Sequence, residues 1–221
     1  MVFGTHGGLS RVEVVKVLDN GKKLHKIAAV NLGISSALTH LDWSTDSNSV
    51  VLNSQAYELM WLDVNSQQRI NASGAKNIDW FSWTSILGFP VQGIWPGADF
   101  TDVNTVCRSQ SRVVLATGED SGLVKLFKYP CVVERAQHNS YMGHSSHVTK
   151  VKFSANDTFV VSTGGNDKTV IVWETDFAMD DPSSQLSLEE EEKENVDFDD
   201  SDYVESKVDK VKLAKQQQKR E

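Results

Sequence analysis

A unit of roughly forty residues occurs more than once in this chain, and that repetition restricts its folds more than any other property. GISSALTHLDWSTDSNSVVLNS from Gly33 and GHSSHVTKVKFSANDTFVVSTG from Gly143 align without a gap: glycine, Ser-Ser, apolar-Thr, an aromatic followed by Ser, a polar turn, then paired valines. VNTVCRSQSRVVLATGEDSGLVKLFKYP from Val103 joins them if one residue is inserted. Each unit reads as short strands between turns. In the Gly143 unit Val148, Lys150 and Lys152 alternate with Val151 and Phe153. A turn follows at Ser154-Ala155-Asn156-Asp157, then a strand from Thr158 to Ser162, a Gly-Gly-Asn-Asp turn, and a strand from Thr169 to Trp173. Helical spacing is absent from the units. Strands at about ten-residue intervals fit a sandwich, barrel or propeller, and a repeat of roughly 40 to 45 residues selects the propeller, one unit per blade.

The expected architecture is all-β: a partial propeller of about three recognisable blades plus part of another, followed by a disordered acidic tail. Residues 1–32 are expected to form a partial blade, with strands Arg11 to Leu18 and Leu24 to Val30 around an Asp19-Asn20-Gly21 hairpin turn. Residues 33–69 form a blade, 70–100 a tryptophan-rich inter-blade connection and strand, and 101–136 and 137–178 two further blades. Residues 179–221 form the tail, acidic and then basic.

Charge separates the tail from the rest. Asp180 to Asp202 holds eleven acids and one lysine, and Tyr203 to Glu221 three acids and six bases, which leaves Met1 to Met179 with −1 of the total −8. A nearly neutral globular part argues against nucleic-acid binding, which needs a basic face to release counterions from phosphates. The tail has too little apolar surface to offset its ordering entropy, apart from a candidate helix from about Tyr203 with Val204, Val208 and Val211 on one face. Ser187 and Ser201 sit among acids and are candidate phosphorylation sites for acid-directed kinases. The acidic stretch would be repelled by an acidic partner, and Lys207 to Arg220 is the better candidate for a weak electrostatic contact. No segment approaches the roughly 20 apolar residues of a spanning helix, no apolar signal-peptide core opens the chain, and an intracellular protein without membrane contact is expected. Cys107 and Cys131 lack a second CxxC or CxxH element, so reduced packing residues are expected rather than a zinc site.

His144, Ser145, Ser162 and Asp167 are residue types that could supply a base, a nucleophile and an acid. No GxSxG elbow accompanies them, and the Gly33 unit carries Ile34 and Leu52 in place of His144 and Ser162, so a triad would not explain the repeated scaffold. The stretch resembles the WD40 repeat, with Gly143-His144 as its opening dipeptide, Asp167 in the tight turn and Trp173-Glu174 at the usual Trp-Asp position. The resemblance implies that His144, Ser162, Asp167 and Trp173 form a buried hydrogen-bond network within one blade of a WD40 β-propeller, with no catalytic, cofactor or metal site.

Trp80, Trp83, Phe89 and Trp95 lie in a connection punctuated by Gly88, Pro90, Gly93, Pro96 and Gly97, and large aromatics there are expected to be buried rather than exposed as interface anchors. DWFSWTSILGFPVQGIWP, then TDVNTVCRS, ATGEDSGLVKLFKYPC and YMGHSSHVTKVKFS, in this order, resemble the echinoderm microtubule-associated protein-like (EMAP-like) family over most of the span from Gly4 to Trp173; HLDWS and YELMW belong to the same pattern. The resemblance implies tandem propellers that bind tubulin and associate with microtubules in the cytoplasm. Neither a HELP motif nor a coiled coil is visible, so the chain is expected to be the carboxy-terminal part or a fragment of a larger propeller protein. The expected function is non-enzymatic: tubulin or microtubule binding and organisation of the microtubule cytoskeleton through a propeller surface. The alternative is a general WD40 scaffold that joins other proteins without engaging tubulin.

Overall fold

The computed structural model describes residues 2–4, 10–95 and 102–176, and the tail with Ser187 and Ser201 lies outside them. The described strands form four separate antiparallel sheets. The first contains β1 (Val2–Gly4), β2 (Ser10–Leu18) and β3 (Lys23–Ile34). The second contains β4 (Leu38–Trp43), β5 (Ser49–Ser54), β6 (Leu59–Asp63) and β7 (Gln68–Ile70). The third contains β8 (Val103–Arg108), β9 (Val114–Glu119), β10 (Leu123–Lys128) and β11 (His138–Met142). The fourth contains β12 (Val148–Phe153), β13 (Phe159–Gly164) and β14 (Val170–Glu174). Within every sheet the strands follow chain order, the meander of a propeller blade. The β2–β3 hairpin turns where Asp19, Asn20 and Gly21 all take positive φ, the conformation that an Asn-Gly pair tolerates best.

The three repeats share one register. Leu38 pairs with Ser54, Val103 with Glu119 and Val148 with Gly164, and each inner strand is bulged immediately afterwards, before His40, Thr105 and Lys150. The bulge adds one unpaired residue and shifts the side-chain alternation by one. Val148 is therefore buried together with Val151 and Phe153, although strict alternation would place it with the exposed Lys150 and Lys152. The inserted residue of the Gly143 unit falls in the turn before its third strand: Gly118 faces Val124 and Asn53 faces Leu59, whereas Thr163 faces Val170. That longer turn carries Asp167.

Consecutive sheets pack on apolar cores. Val12, Val14 and Val30 of the first sheet meet Val50, Leu52 and Leu62 of the second. Cys107, Ala116 and Val124 of the third meet Val148, Val151 and Val160 of the fourth. There the inner strands also touch through polar atoms: Asn104 donates to the Val148 carbonyl at 3.1 Å, and the Val151 amide donates to the Thr105 hydroxyl at 3.4 Å. Between the second and third sheets, Trp80 and Trp83 fill the gap. Among the described residues the array is not closed. Val17, Leu24 and Ile27 on the first sheet and Phe159, Val170 and Val172 on the fourth are exposed on the faces that point out of the stack. The first and fourth sheets have three strands where the inner two have four.

His40, on the inner strand of the second sheet, has its pKa pushed down to about 4, first by burial and then by the Lys150 charge of the fourth. The folded state thus holds it neutral while the unfolded chain takes up a proton below about 6.5. The unfolded state binds more protons in that window, so the contribution of His40 to stability is present above pH 6.5 and is lost as the pH falls towards 4. Denaturant titrations from pH 7 to pH 4 are expected to show this loss, and His40→Gln is expected to flatten the slope.

Candidate functional site

Residues 71–95 carry the chain from the second sheet to the third. They form a one-turn helix, α1 (Ala72–Ala75), whose Gly74 amide is capped by the Asn71 side chain, then an isolated bridge between Trp80 and Ser44, and a 3-10 segment at Phe89–Ile94. Three buried polar residues from the flanking sheets hold this segment. Asp42, at the end of β4 and 2% exposed, accepts hydrogen bonds from the Ser82 hydroxyl at 2.7 Å, the Thr84 amide at 2.8 Å, and the Ser85 amide and hydroxyl, both at 2.9 Å. The Asn53 amide on β5 grips the Leu87 backbone twice, accepting from its N–H at 2.9 Å and donating to its carbonyl at 3.2 Å. From β8, Arg108 donates to the Trp80 and Phe81 carbonyls at 2.8 and 2.9 Å and lies over the Tyr129 ring. A buried carboxylate or guanidinium is costly unless its bonding capacity is met, and here segment backbone and hydroxyls meet it.

The rings complete the wedge. Trp83 is 1% and Trp80 5% exposed, and they pack edge to face at 5.8 Å; Phe89 stacks on Trp61 of the second sheet at 5.5 Å, and half-buried Trp95 donates to the Ile86 carbonyl at 3.0 Å. Removing one such ring from water is worth roughly 4 to 6 kcal/mol as an upper bound, at about 25 cal/mol per Å² over 150 to 250 Å². These side chains are core. Gly88 fits the same logic: at φ +156° a Cβ would stand 2.3 Å from the Trp83 ring. One aromatic does the opposite. Phe81, between Trp80 and Ser82, is 73% exposed. Its neighbours in sequence read as a uniform aromatic run, and only the bridge to Ser44, just past β4, which turns Trp80 inward and Phe81 outward, distinguishes it.

The structure brings His144, Ser162, Asp167 and Trp173 together in the fourth sheet. His144 Nε2 lies 2.7 Å from Ser162 Oγ, to which Trp173 Nε1 also donates at 2.8 Å. His144 Nδ1 lies 2.8 Å from Thr169 Oγ1 and 3.1 Å from Asp167 Oδ2. The Asp167 carboxylate further accepts from the Thr169 hydroxyl and the Ser145 amide, tying the loop before β12 to the turn before β14. Desolvation raises its pKa, but the Thr169, His144 and Ser145 hydrogen bonds outweigh that and hold it below the usual carboxylate range. Ser162 is 0% exposed and engaged from two sides, so a substrate carbonyl has no approach to it. The Gly33 unit keeps one part of this arrangement with other residues. Glu58 accepts from the Ser35 amide and hydroxyl where Asp167 accepts from the Ser145 amide, although Ile34 and Leu52 replace the histidine and serine. In the third sheet a buried Lys125–Glu119 ion pair at 2.8 Å joins neighbouring strands. Cys107 and Cys131 are buried and free, and burial pushes the Cys131 thiol up to about 12. Among the described residues no group of three or more metal-ligating side chains converges, and no helix is long and apolar enough to cross a membrane. His144→Ala leaves Ser162 and Thr169 short of a buried partner and is expected to cost about 1 to 3 kcal/mol in chemical denaturation. Unchanged stability would count against a structural role for the ring.

Comparison with known proteins gives the same reading of the chain from outside it. Residues 4–175 match the family described as the echinoderm microtubule-associated protein second beta-propeller. Echinoderm microtubule-associated protein-like 1 of Mus musculus is 42% identical over 175 residues, covering 78% of this chain and 21% of the relative. The 77 kDa echinoderm microtubule-associated protein of Lytechinus variegatus is 43% identical over 164 residues, covering 73% of this chain and 24% of the relative. Echinoderm microtubule-associated protein-like 2 of Mus musculus is 43% identical over 175 residues, with 78% and 26% covered. The chain thus spans about a quarter or less of the length of these relatives. With four propeller-like sheets and a family match over nearly all of the described residues, the chain belongs to the echinoderm microtubule-associated protein-like family.

Proposed function

We propose that this chain is a non-enzymatic interaction protein that binds tubulin or microtubules and contributes to organising the microtubule cytoskeleton in the cytoplasm, through the surface of a WD40 propeller. Family membership over residues 4–175 carries this reading, since the relatives are microtubule-associated by name. It fits the chemistry of the buried groups: His144, Ser162, Asp167 and Trp173 act as a structural network that fixes the fourth blade, and Asp42, Asn53 and Arg108 fix the inter-blade wedge. Both leave the loops as the part free to recognise a partner on a rigid frame. Ser187 and Ser201 are proposed as phosphorylation sites that add negative charge to the tail.

Co-sedimentation of the 221-residue chain with microtubules, alongside size-exclusion chromatography with soluble tubulin, tests the reading. Saturable binding to either is expected. Binding to neither, by chain shown to be folded, sinks the tubulin reading and leaves a scaffold for other proteins.

A further inference from the structure

Resting on the tubulin reading, we propose that Phe81 is an aromatic anchor of the tubulin contact, inserted into an apolar pocket of the partner, with the Asp79–Arg112 pair and Val113 as its rim. Three observations lead there. First, Phe81 is 73% exposed although it sits beside two tryptophans that are almost wholly buried. Of the other exposed large apolar side chains on β strands, Leu24, Phe159, Val170 and Val172 lie on the outward faces of the terminal sheets, the positions that face a neighbouring sheet inside the stack, and Tyr141 and Met142 lie on β11, the edge strand of the third sheet. Phe81 projects from the wedge between two stacked sheets, so among the described residues no such neighbour accounts for it.

Second, the backbone that carries the ring is fixed. The Phe81 amide donates to the Trp43 carbonyl at 2.9 Å, its carbonyl accepts from Arg108, and the Asp79 carbonyl accepts from the Thr45 amide at 2.8 Å. A ring on a fixed backbone has only its two side-chain torsions to lose on binding, which favours an exposed aromatic as a hot spot. Third, the surroundings form a small mixed patch. Asp79 accepts from Thr45 at 2.9 Å and from Arg112 at 2.8 Å, and Arg112 leads into Val113, itself 46% exposed. An apolar centre with a polar rim matches the anatomy of a protein interface. Nucleic acid would stack on such a ring only within a basic groove, and the chain from Met1 to Met179 carries a net charge of −1 of the total −8. One phenyl ring without a basic surround is also a poor membrane anchor.

The test measures binding of the full chain to soluble tubulin dimers for the unmodified protein, Phe81→Ala and Phe81→Trp, each checked by thermal unfolding. Phe81→Ala is expected to melt with the unmodified chain and to weaken binding by about tenfold or more, while Phe81→Trp stays within about threefold. If Phe81→Ala lowers the melting temperature, hydrogen exchange on the unmodified chain decides. Addition of tubulin is expected to slow exchange in the turns at 45–48 and 110–113, and unchanged exchange there overturns the proposal. Phe81→Ala binding within twofold of the unmodified chain overturns the anchor and leaves the tubulin reading standing. An unmodified, folded chain that binds neither soluble tubulin nor microtubules overturns that reading, and the assignment of Phe81 to that partner falls with it.

Discussion

The carboxylate of Asp42 is the point on which the middle of this molecule depends. It is buried, and the hydroxyls and amides that satisfy it come from residues some forty positions further along the chain. A buried charge in that position is tolerable only while Ser82, Thr84 and Ser85 stay where they are, and those residues stay because Trp80 and Trp83 are packed on either side of them. Charge satisfaction and ring burial therefore act on the same six residues, Trp80 to Ser85. Asn53 and Arg108 extend the arrangement to both sheets, so the wedge is bonded to the second sheet and to the third. A purely apolar filler would let the two sheets slide; a filler held by directional bonds from both sides fixes their relative position.

The repeats show how one register supports different chemistry. The bulge and the pairing that follows it recur in all three, because they are set by backbone geometry and by the apolar positions on either side. The polar connections vary. The Gly143 unit joins its loop and turn through His144 and Asp167, the Gly33 unit through Glu58, and the third sheet relies on a buried Lys125–Glu119 pair. What recurs is a buried or half-buried acid that ties neighbouring segments of a blade together. The residues resembling a catalytic set are thus one of several ways to meet the same structural need, which fits a family of interaction proteins.

Much of this was legible from the residues. Repetition at a period of roughly forty identified the sheets, and the Asn-Gly hairpin and the Gly-His to Trp-Glu unit appeared in the fold much as their patterns suggest. Val148 misled because an alternation read along a single strand carries no mark of a bulge; only the shared spacing of Leu38, Leu41 and Val103, Val106 hinted at it. Asp42 was hidden inside the family pattern HLDWS, since nothing local to it signals burial and its partners are ordinary serines and a threonine in a loop. Phe81 was hidden by company: a window that contains Trp80 and Trp83 reads as uniformly buried, and the single bridge that turns one ring outward is a tertiary event.

The claim that the tryptophan-rich segment is part of the core, joined to it through Asp42, is tested most directly by hydrogen exchange at the Thr84 and Ser85 amides, both of which donate to that carboxylate. If the segment unfolds only with the sheets, these two amides exchange as slowly as those of Val51 and Leu52 on β5, and Asp42→Ala speeds all four together. Exchange of Thr84 and Ser85 at the rate of an open loop, while β5 stays protected, would contradict it.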